Sequence, residues 1–305
     1  MHQRYLTKSN FKLSMQCKTK LFYADKPDYA NKSMDDPFLL SLAEGGFQVG
    51  ALAKCYFPGG HEIEVAGNQQ ALRLTEELMK QESLVLFEGA FLYKNLFVRT
   101  DILVKSGKCL ELIEVKAKSY DQQKDELVNW KGQIIEKWRE YLYDVAYQKH
   151  VLHMALPEYE ISASLMLVDK TARCPVDGLN QKFRVTKSQN GRGKAITPRD
   201  LPPEYLEPSL LIKVNADLAC EQIYQEEIDF CGEAIRFAEY TERIAAYFER
   251  DQKISSAPSS VCKGCEFRAS GEELKAGLKC GFRECWQESL GWEDRDFDEQ
   301  TVLDL

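Results

Sequence analysis

Three features are missing from this chain, and each narrows its reading. No apolar run is long enough to cross a bilayer and no signal peptide opens the sequence, so a cytoplasmic protein is expected. There is no internal repeat or low-complexity tract, which argues against solenoid and linker architectures. Positive charge is also short, with a formal net of −8 over 305 residues. Distribution matters more than the sum. Residues Trp286 to Leu305 hold seven acids and one arginine, a net of −6, which leaves −2 for residues 1–285. Lys182, Arg184, Lys187, Arg192, Lys194 and Arg199 fall in one stretch without an acid. Gly191 and Gly193 make Ser188–Lys194 a mobile surface loop, either merely solvated or able to follow a phosphate backbone.

What the chain does have is a pair of charges inside an apolar run, Cys109-Leu-Glu-Leu-Ile-Glu-Val-Lys116. A strand alternates its faces, so Leu112, Glu114 and Lys116 share one side and Ile113, Val115 and Ala117 the other. A carboxylate and an ammonium are expensive in a buried strand. Asp101 lies thirteen residues earlier at the end of a second strand-like run, Leu96–Val104, and a turn at Ser106-Gly107-Lys108 joins the two. The hairpin brings Asp101 toward Glu114. Mg²⁺ or Mn²⁺ takes hard oxygen ligands, and Asp101, Glu114 and the Val115 carbonyl supply them on one strand edge. Lys116 would then orient a water or neutralise charge on a phosphoryl oxygen. The plainer alternative is an exposed hairpin with a cross-strand Glu–Lys pair, worth a few tenths of a kcal/mol.

The order Asp101, then Glu114-Val-Lys116, resembles the PD-(D/E)xK nuclease motif. The wider layout resembles its RecB-like branch, which includes CRISPR-associated and AddB-type exonucleases with an iron–sulfur cluster. That branch has one cluster cysteine near its start and three near its end. Leu6–Tyr23 with Cys17 is similar to its opening helix, and Cys262-Lys-Gly-Cys265 followed by Cys280-Gly-Phe-Arg-Glu-Cys285-Trp is similar to its end. The resemblance spans nearly the whole chain. It is closest to bacterial proteins in which a RecB-like nuclease domain precedes a further C-terminal domain. It implies a restriction-endonuclease-like mixed sheet flanked by helices, with a subregion stapled by a [4Fe–4S] cluster at Cys17, Cys262, Cys265 and Cys285. It also implies a metal-dependent exonuclease on single-stranded DNA ends, and a missing domain or a protein partner. By inference from relatives, its role would lie in DNA repair or defence.

Two departures from the branch stand out. Its helix before the core often carries a histidine, yet Glu44-Gly-Gly-Phe-Gln-Val-Gly-Ala-Leu-Ala-Lys54 has none. Glu88 is a candidate replacement ligand, or else an acid satisfied at a strand end. The branch's Gln-x-x-x-Tyr helix motif reads Gln148-Lys-His-Val-Leu152, with Gln148 positioned to orient substrate or water. These departures favour a second hypothesis, a nuclease-fold DNA-binding module that cuts poorly.

Of ten cysteines, Cys55, Cys109, Cys174, Cys220 and Cys231 stand singly among apolar residues and read as small core filler. Cys262 and Cys265 have metal-ligand spacing. A purely local reading closes a zinc site with Cys262, Cys265, Cys280 and Cys285, and with it a zinc-stabilised adaptor. Cys280 and Cys285 compete for one place in the cluster implied by the resemblance.

Periodicity predicts helices over about Ser9–Tyr23, Asp35–Tyr56, Asn68–Lys80, Gln122–Met154 and Asn215–Arg250. Strands are predicted near Leu84–Leu92, Leu96–Val104, Cys109–Ala117 and Tyr159–Val168. Leu127, Trp130, Ile134, Trp138, Leu142, Val145 and Lys149 read as a core stripe rather than a DNA-stacking surface. The class is α/β, a mixed sheet flanked by helices. The expected divisions are an N-terminal helical region at 1–60, a nuclease core at 61–250, a cysteine region at 251–290 and an extended acidic tail at 291–305.

Overall fold

The computed structural model describes residues 4–34, 37–187, 193–198 and 201–297. The chain opens with α1 (Lys8–Gln16), α2 (Lys20–Tyr23) and α3 (Pro37–Cys55), followed by β1 (His61–Glu62) and α4 (Asn68–Leu78). The central run is β2 (Ser83–Tyr93), β3 (Leu96–Ser106), β4 (Cys109–Tyr120), α5 (Glu136–Ala155) and β5 (Glu160–Asp169). Then come β6 (Val185–Lys187), β7 (Gly193–Ala195), β8 (Leu211–Asn215) and α6 (Asp217–Gln225). The chain continues through β9 (Glu227–Phe230), β10 (Glu233–Arg236), α7 (Phe237–Glu249), α8 (Gly271–Lys275) and α9 (Gly281–Leu290). Two compact units result: Leu40–Glu226, and Met1–Leu39 together with Glu227–Leu305.

The first unit is α/β, built on a six-stranded mixed sheet in the order β1-β2-β3-β4-β5-β8. Hairpins make β2, β3 and β4 antiparallel, and Gly107, at φ +57°, supplies the left-handed turn between β3 and β4. β4 and β5 are parallel, which demands a crossover, and α5 provides it. That crossover lays α5 against β2, β3, β4 and β5. Trp138, Leu142, Val145, Ala146, Val151 and Leu152 of α5 are buried there. On the opposite face Ile113 joins Ala51, Leu52 and Ala53 of α3 with Phe87, Ile102 and Met166. The alternation expected for β4 is realised: Ile113 lies in that cluster, and Glu114 faces α5.

The second unit joins the N-terminal helices to the segment after Glu226. Phe11 of α1 meets Phe237 and Tyr240 of α7 at ring-centroid distances of 5.5 and 6.3 Å. The Tyr240 hydroxyl donates to the Ser14 carbonyl at 2.9 Å, and the Thr19 hydroxyl donates to the Ile254 carbonyl at 2.8 Å.

Several predicted elements are corrected. The helix expected from Gln122 begins only at Glu136, because side-chain-to-backbone turns hold the preceding segment. Asp121 accepts the Gln123 N–H, and Asn129 accepts the N–H groups of Lys131 and Gln133. Trp130 is therefore not core: it is 87% exposed. The helix expected over Asn215–Arg250 is interrupted by the β9–β10 hairpin, whose turn sets Cys231 at φ +56° and Gly232 at φ +90°. The opening helix breaks at Cys17, which is extended (φ −161°, ψ 120°).

Cys109, Cys174 and Cys231 are exposed, not core filler, since they sit at a strand end, in a loop and in a turn. The expected acidic tail begins folded: Asp294–Phe297 form a 3-10 turn, and Trp292 packs on Trp286 and Phe297. Residues 298–305 lie outside the described residues, as do 188–192 and Arg199 of the basic stretch. No helix among the described residues is long and apolar enough to cross a membrane.

Candidate active site and cysteine cradle

The site on β4 is assembled by three strands and one helix. Phe87 pairs with Ile102 and Gly89 with Thr100, which sets Glu88 across from Asp101. Ile102 also pairs with Ile113, so Asp101 stands one step along from that pair, level with Glu114. Glu88, Asp101 and Glu114 thus form a row across β2, β3 and β4. Glu88 has φ +58° inside a strand. A non-glycine residue there costs about 1–3 kcal/mol, a strain concentrated at functional positions. The β4–β5 register also slips between Lys116 and Ser119. A bulge of this kind re-aims the side chains beside it.

Glu114 is 1% exposed, and both of its oxygens are engaged. Oε1 stands 2.7 Å from the Lys116 Nζ, and Oε2 accepts from the Gln148 Nε2 at 2.7 Å. The Lys116 Nζ also donates to the Asp144 Oδ2 at 2.7 Å. The cation on which Glu114 and Asp144 converge is therefore the protein's own ammonium. Asp101 Oδ2 accepts the Val115 N–H at 2.8 Å, which ties β3 to β4 just where their ladder ends. Burial opposes the charge on Lys116. The fields of Glu114, Asp144 and Asp101 outweigh it, holding the ammonium protonated well above the ordinary lysine range.

Asp101, Glu114, Lys116 and Gln148 are thus gathered as the sequence suggested, with Val115 bound through its N–H to Asp101. Asp144 was missed. It lies four residues before Gln148 on α5, so the two share a helix face. That i, i+4 polar pair on an otherwise buried helix is the signal that finds it. Asp101, Glu114 and Asp144 with the Lys116 ammonium carry a formal net charge of −2. Gln148 Oε1 is buried with no hydrogen-bond partner among the described residues. An unsatisfied acceptor beside a carboxylate row, all hard oxygen, suits a hydrated divalent cation. Among the described residues, no three His, Cys, Asp or Glu side chains converge on one ion-binding point.

The cysteines of the second unit form a separate feature. Cys17, Cys262, Cys265 and Cys285 line one cavity of about 120 Å³, beside Phe282 and Trp286. Cys17 arrives as the C-cap of α1, Cys262 and Cys265 from a 3-10 turn over Ser260–Gly264, and Cys285 from α9. Cys280 does not line it. Its buried sulfur caps α9, accepting the N–H groups of Arg283 at 3.4 Å and Ala269 at 3.3 Å. Cys285 thus lines the cavity, while Cys280 packs beside Cys262, Cys265 and Cys285 in the adjoining apolar cluster. Burial pushes the Cys265 thiol up to about 12. Burial and then the neighbouring Cys17 and Cys262 raise Cys285. Such thiols stay protonated until a metal centre displaces the proton.

No family model matches the chain, and neither does any curated protein.

The ion-pair geometry carries a stability prediction. Lys116→Met leaves two buried carboxylates without their shared cation and should destabilise the protein by about 3–5 kcal/mol in urea unfolding. Adding Asp144→Asn should recover at least about 1 kcal/mol of that loss, since one of the stranded charges disappears. A double variant weaker than Lys116→Met alone would show that Asp144 is not coupled to Lys116.

Proposed function

We propose that this chain is a metal-dependent nuclease of the PD-(D/E)xK superfamily, RecB-like branch, acting as an exonuclease on single-stranded DNA ends. The observation that carries the reading is the Lys116 ammonium, held 2.7 Å from both Glu114 and Asp144 beside Asp101. Mixed-sheet topology with the crossover helix over that row is compatible with a restriction-endonuclease-like core. Asp101 and Glu114 would hold Mg²⁺ or Mn²⁺, with the Val115 carbonyl and Glu88 as further oxygens. Held by those oxygens, the ion would supply Lewis-acid chemistry at the scissile phosphate.

The residues have distinct parts. Lys116 donates to the attacking water or to a non-bridging phosphoryl oxygen, where charge builds as the P–O bond breaks. Asp144 holds that ammonium in place. Gln148 fixes the Glu114 carboxylate through Nε2 and leaves Oε1 to accept from water or substrate.

The cysteine cradle supports a structural [4Fe–4S] cluster on Cys17, Cys262, Cys265 and Cys285. Four thiolates suit an iron–sulfur cluster or zinc chemically, and the split set, one cysteine early and three late, resembles the cluster-bearing branch. Lys20 and Lys253, whose fields act on Cys265 and Cys285, would offset part of the cluster's negative charge. A second functional reading, a DNA-binding module that cuts poorly, is favoured by one feature: Glu114, Lys116 and Asp144 already neutralise part of one another's charge.

End-labelled single-stranded DNA should be degraded with Mn²⁺ or Mg²⁺, and Glu114→Ala and Lys116→Ala should each lower the rate at least about 100-fold. Circular dichroism would check that both variants fold. Binding without cutting under either metal would move the module reading ahead, and activity surviving both substitutions would place the site elsewhere. Anaerobically purified protein should carry iron and acid-labile sulfide in equal proportion. Both should be lost in Cys17→Ala and Cys285→Ala and retained in Cys280→Ala; zinc without sulfide would contradict the cluster.

A further inference from the structure

Trp130 is the most exposed large apolar side chain among the described residues, yet the segment that carries it is firmly built. Val128 and Ile134 bridge as a small hairpin, and the Ile135 N–H reaches the Leu127 carbonyl at 3.0 Å. Asn129 Oδ1 accepts from Lys131 at 2.9 Å and Gln133 at 3.0 Å, and Gly132 turns the tip at φ +76°. An indole presented on a pinned tip is held in water by its backbone, not by lack of structure.

Its neighbours supply charge. The Lys131 Nζ lies 4.8 Å from the Trp130 ring centroid and forms no ion pair among the described residues. Acids of the segment are partly paired: Asp125 with Lys137, the exposed Glu136 with Arg139 at 2.9 Å, and Asp121 lies 3.5 Å from Lys124. Beside the tip opens a recess of about 520 Å³ lined by Tyr120, Leu127, Trp130, Asn215 and Leu218, with Glu126 its acidic member. Tyr120 is the last residue of β4, four positions beyond Lys116. Between them Lys118 shares the Tyr141 ring with Lys116, each Nζ 5.9 Å from the centroid. Lys116, Lys118 and Tyr120 thus follow one another along β4 from the candidate active site toward the recess.

We infer that Trp130 and Lys131 form a stacking platform that grips an unpaired base of single-stranded nucleic acid on its way to Lys116. Every base offers a π-face, so an exposed indole with an adjacent cation binds single strands without reading sequence. A duplex, whose bases are already stacked, gains nothing from it. The inference deepens the nuclease reading and rests on it for the identity of the ligand.

The test measures anisotropy of a fluorescein-labelled oligothymidylate, and separately of a hairpin duplex, with full-length protein in EDTA so that nothing is cut. Trp130→Ala should weaken oligothymidylate binding about tenfold or more, Trp130→Phe should restore most of it, and Lys131→Ala should flatten its salt dependence. Hairpin binding should not respond to Trp130→Ala. Equal affinity of wild type and Trp130→Ala for the oligothymidylate, or no wild-type binding at all, would overturn the inference. So would self-association in sedimentation that depends on Trp130 while oligonucleotide affinity does not, which would make the patch a contact between copies. Cleavage lost only in Lys116→Ala alongside unchanged Trp130→Ala binding would remove the platform and leave the nuclease reading standing. Trp130-dependent binding without metal-supported cleavage would do the reverse.

Discussion

The ammonium of Lys116, shared between Glu114 on its own strand and Asp144 on α5, is the interaction on which the first unit's candidate site depends. Glu114 and Asp144 are almost fully buried, and two carboxylates cannot be left there without a partner. Their attraction to one cation ties the crossover helix to β4 at a fixed rotation, which in turn brings Gln148 onto Glu114. Apolar packing alone would not select that rotation so narrowly: Trp138, Leu142 and Val145 tolerate small shifts that a 2.7 Å ion pair does not. Replacing such a buried set with apolar side chains of similar volume is often neutral or stabilising. The proposed chemistry, by contrast, needs a charged group standing at a defined place.

The parts of the fold that were legible in the sequence are those governed by local alternation. Strands β2 to β5 lie where the apolar runs placed them, and the two faces of β4 separate Ile113 from Glu114 as a period of two requires. Long-range pairing was legible only at the hairpins, where Gly107 and short turns leave little choice. The β1 edge and the antiparallel β8 carry no such signal. Failures came where side chains bond to backbone. Asp121 and Asn129 divert a helical-looking stripe into turns, and the Cys231-Gly232 turn breaks a second. Asp144 was invisible to a search for apolar periodicity because its significance depends on Lys116, twenty-eight residues away.

The cysteines illustrate the same division. CxxC spacing singled out Cys262 and Cys265, but no local rule separates Cys280 from Cys285. In the structure the Cys280 sulfur accepts the N–H groups of Arg283 and Ala269, while Cys285, further along α9, lines the cavity with Cys17. Cys17 reaches it because α1 ends there in extended backbone, a break that periodicity smooths over. A metal centre bound in that cavity would add to stability, since any affinity for the folded thiols adds to folding.

Calorimetric titration of Mn²⁺ into the protein, alongside Asp101→Asn and Glu114→Gln, tests the central claim most directly. The account predicts a binding site in the wild type that is weakened at least about tenfold in both variants, with the iron content of the cysteine cradle unchanged. Mn²⁺ binding that is indifferent to both substitutions would contradict it, and the row across β2, β3 and β4 would then be structural.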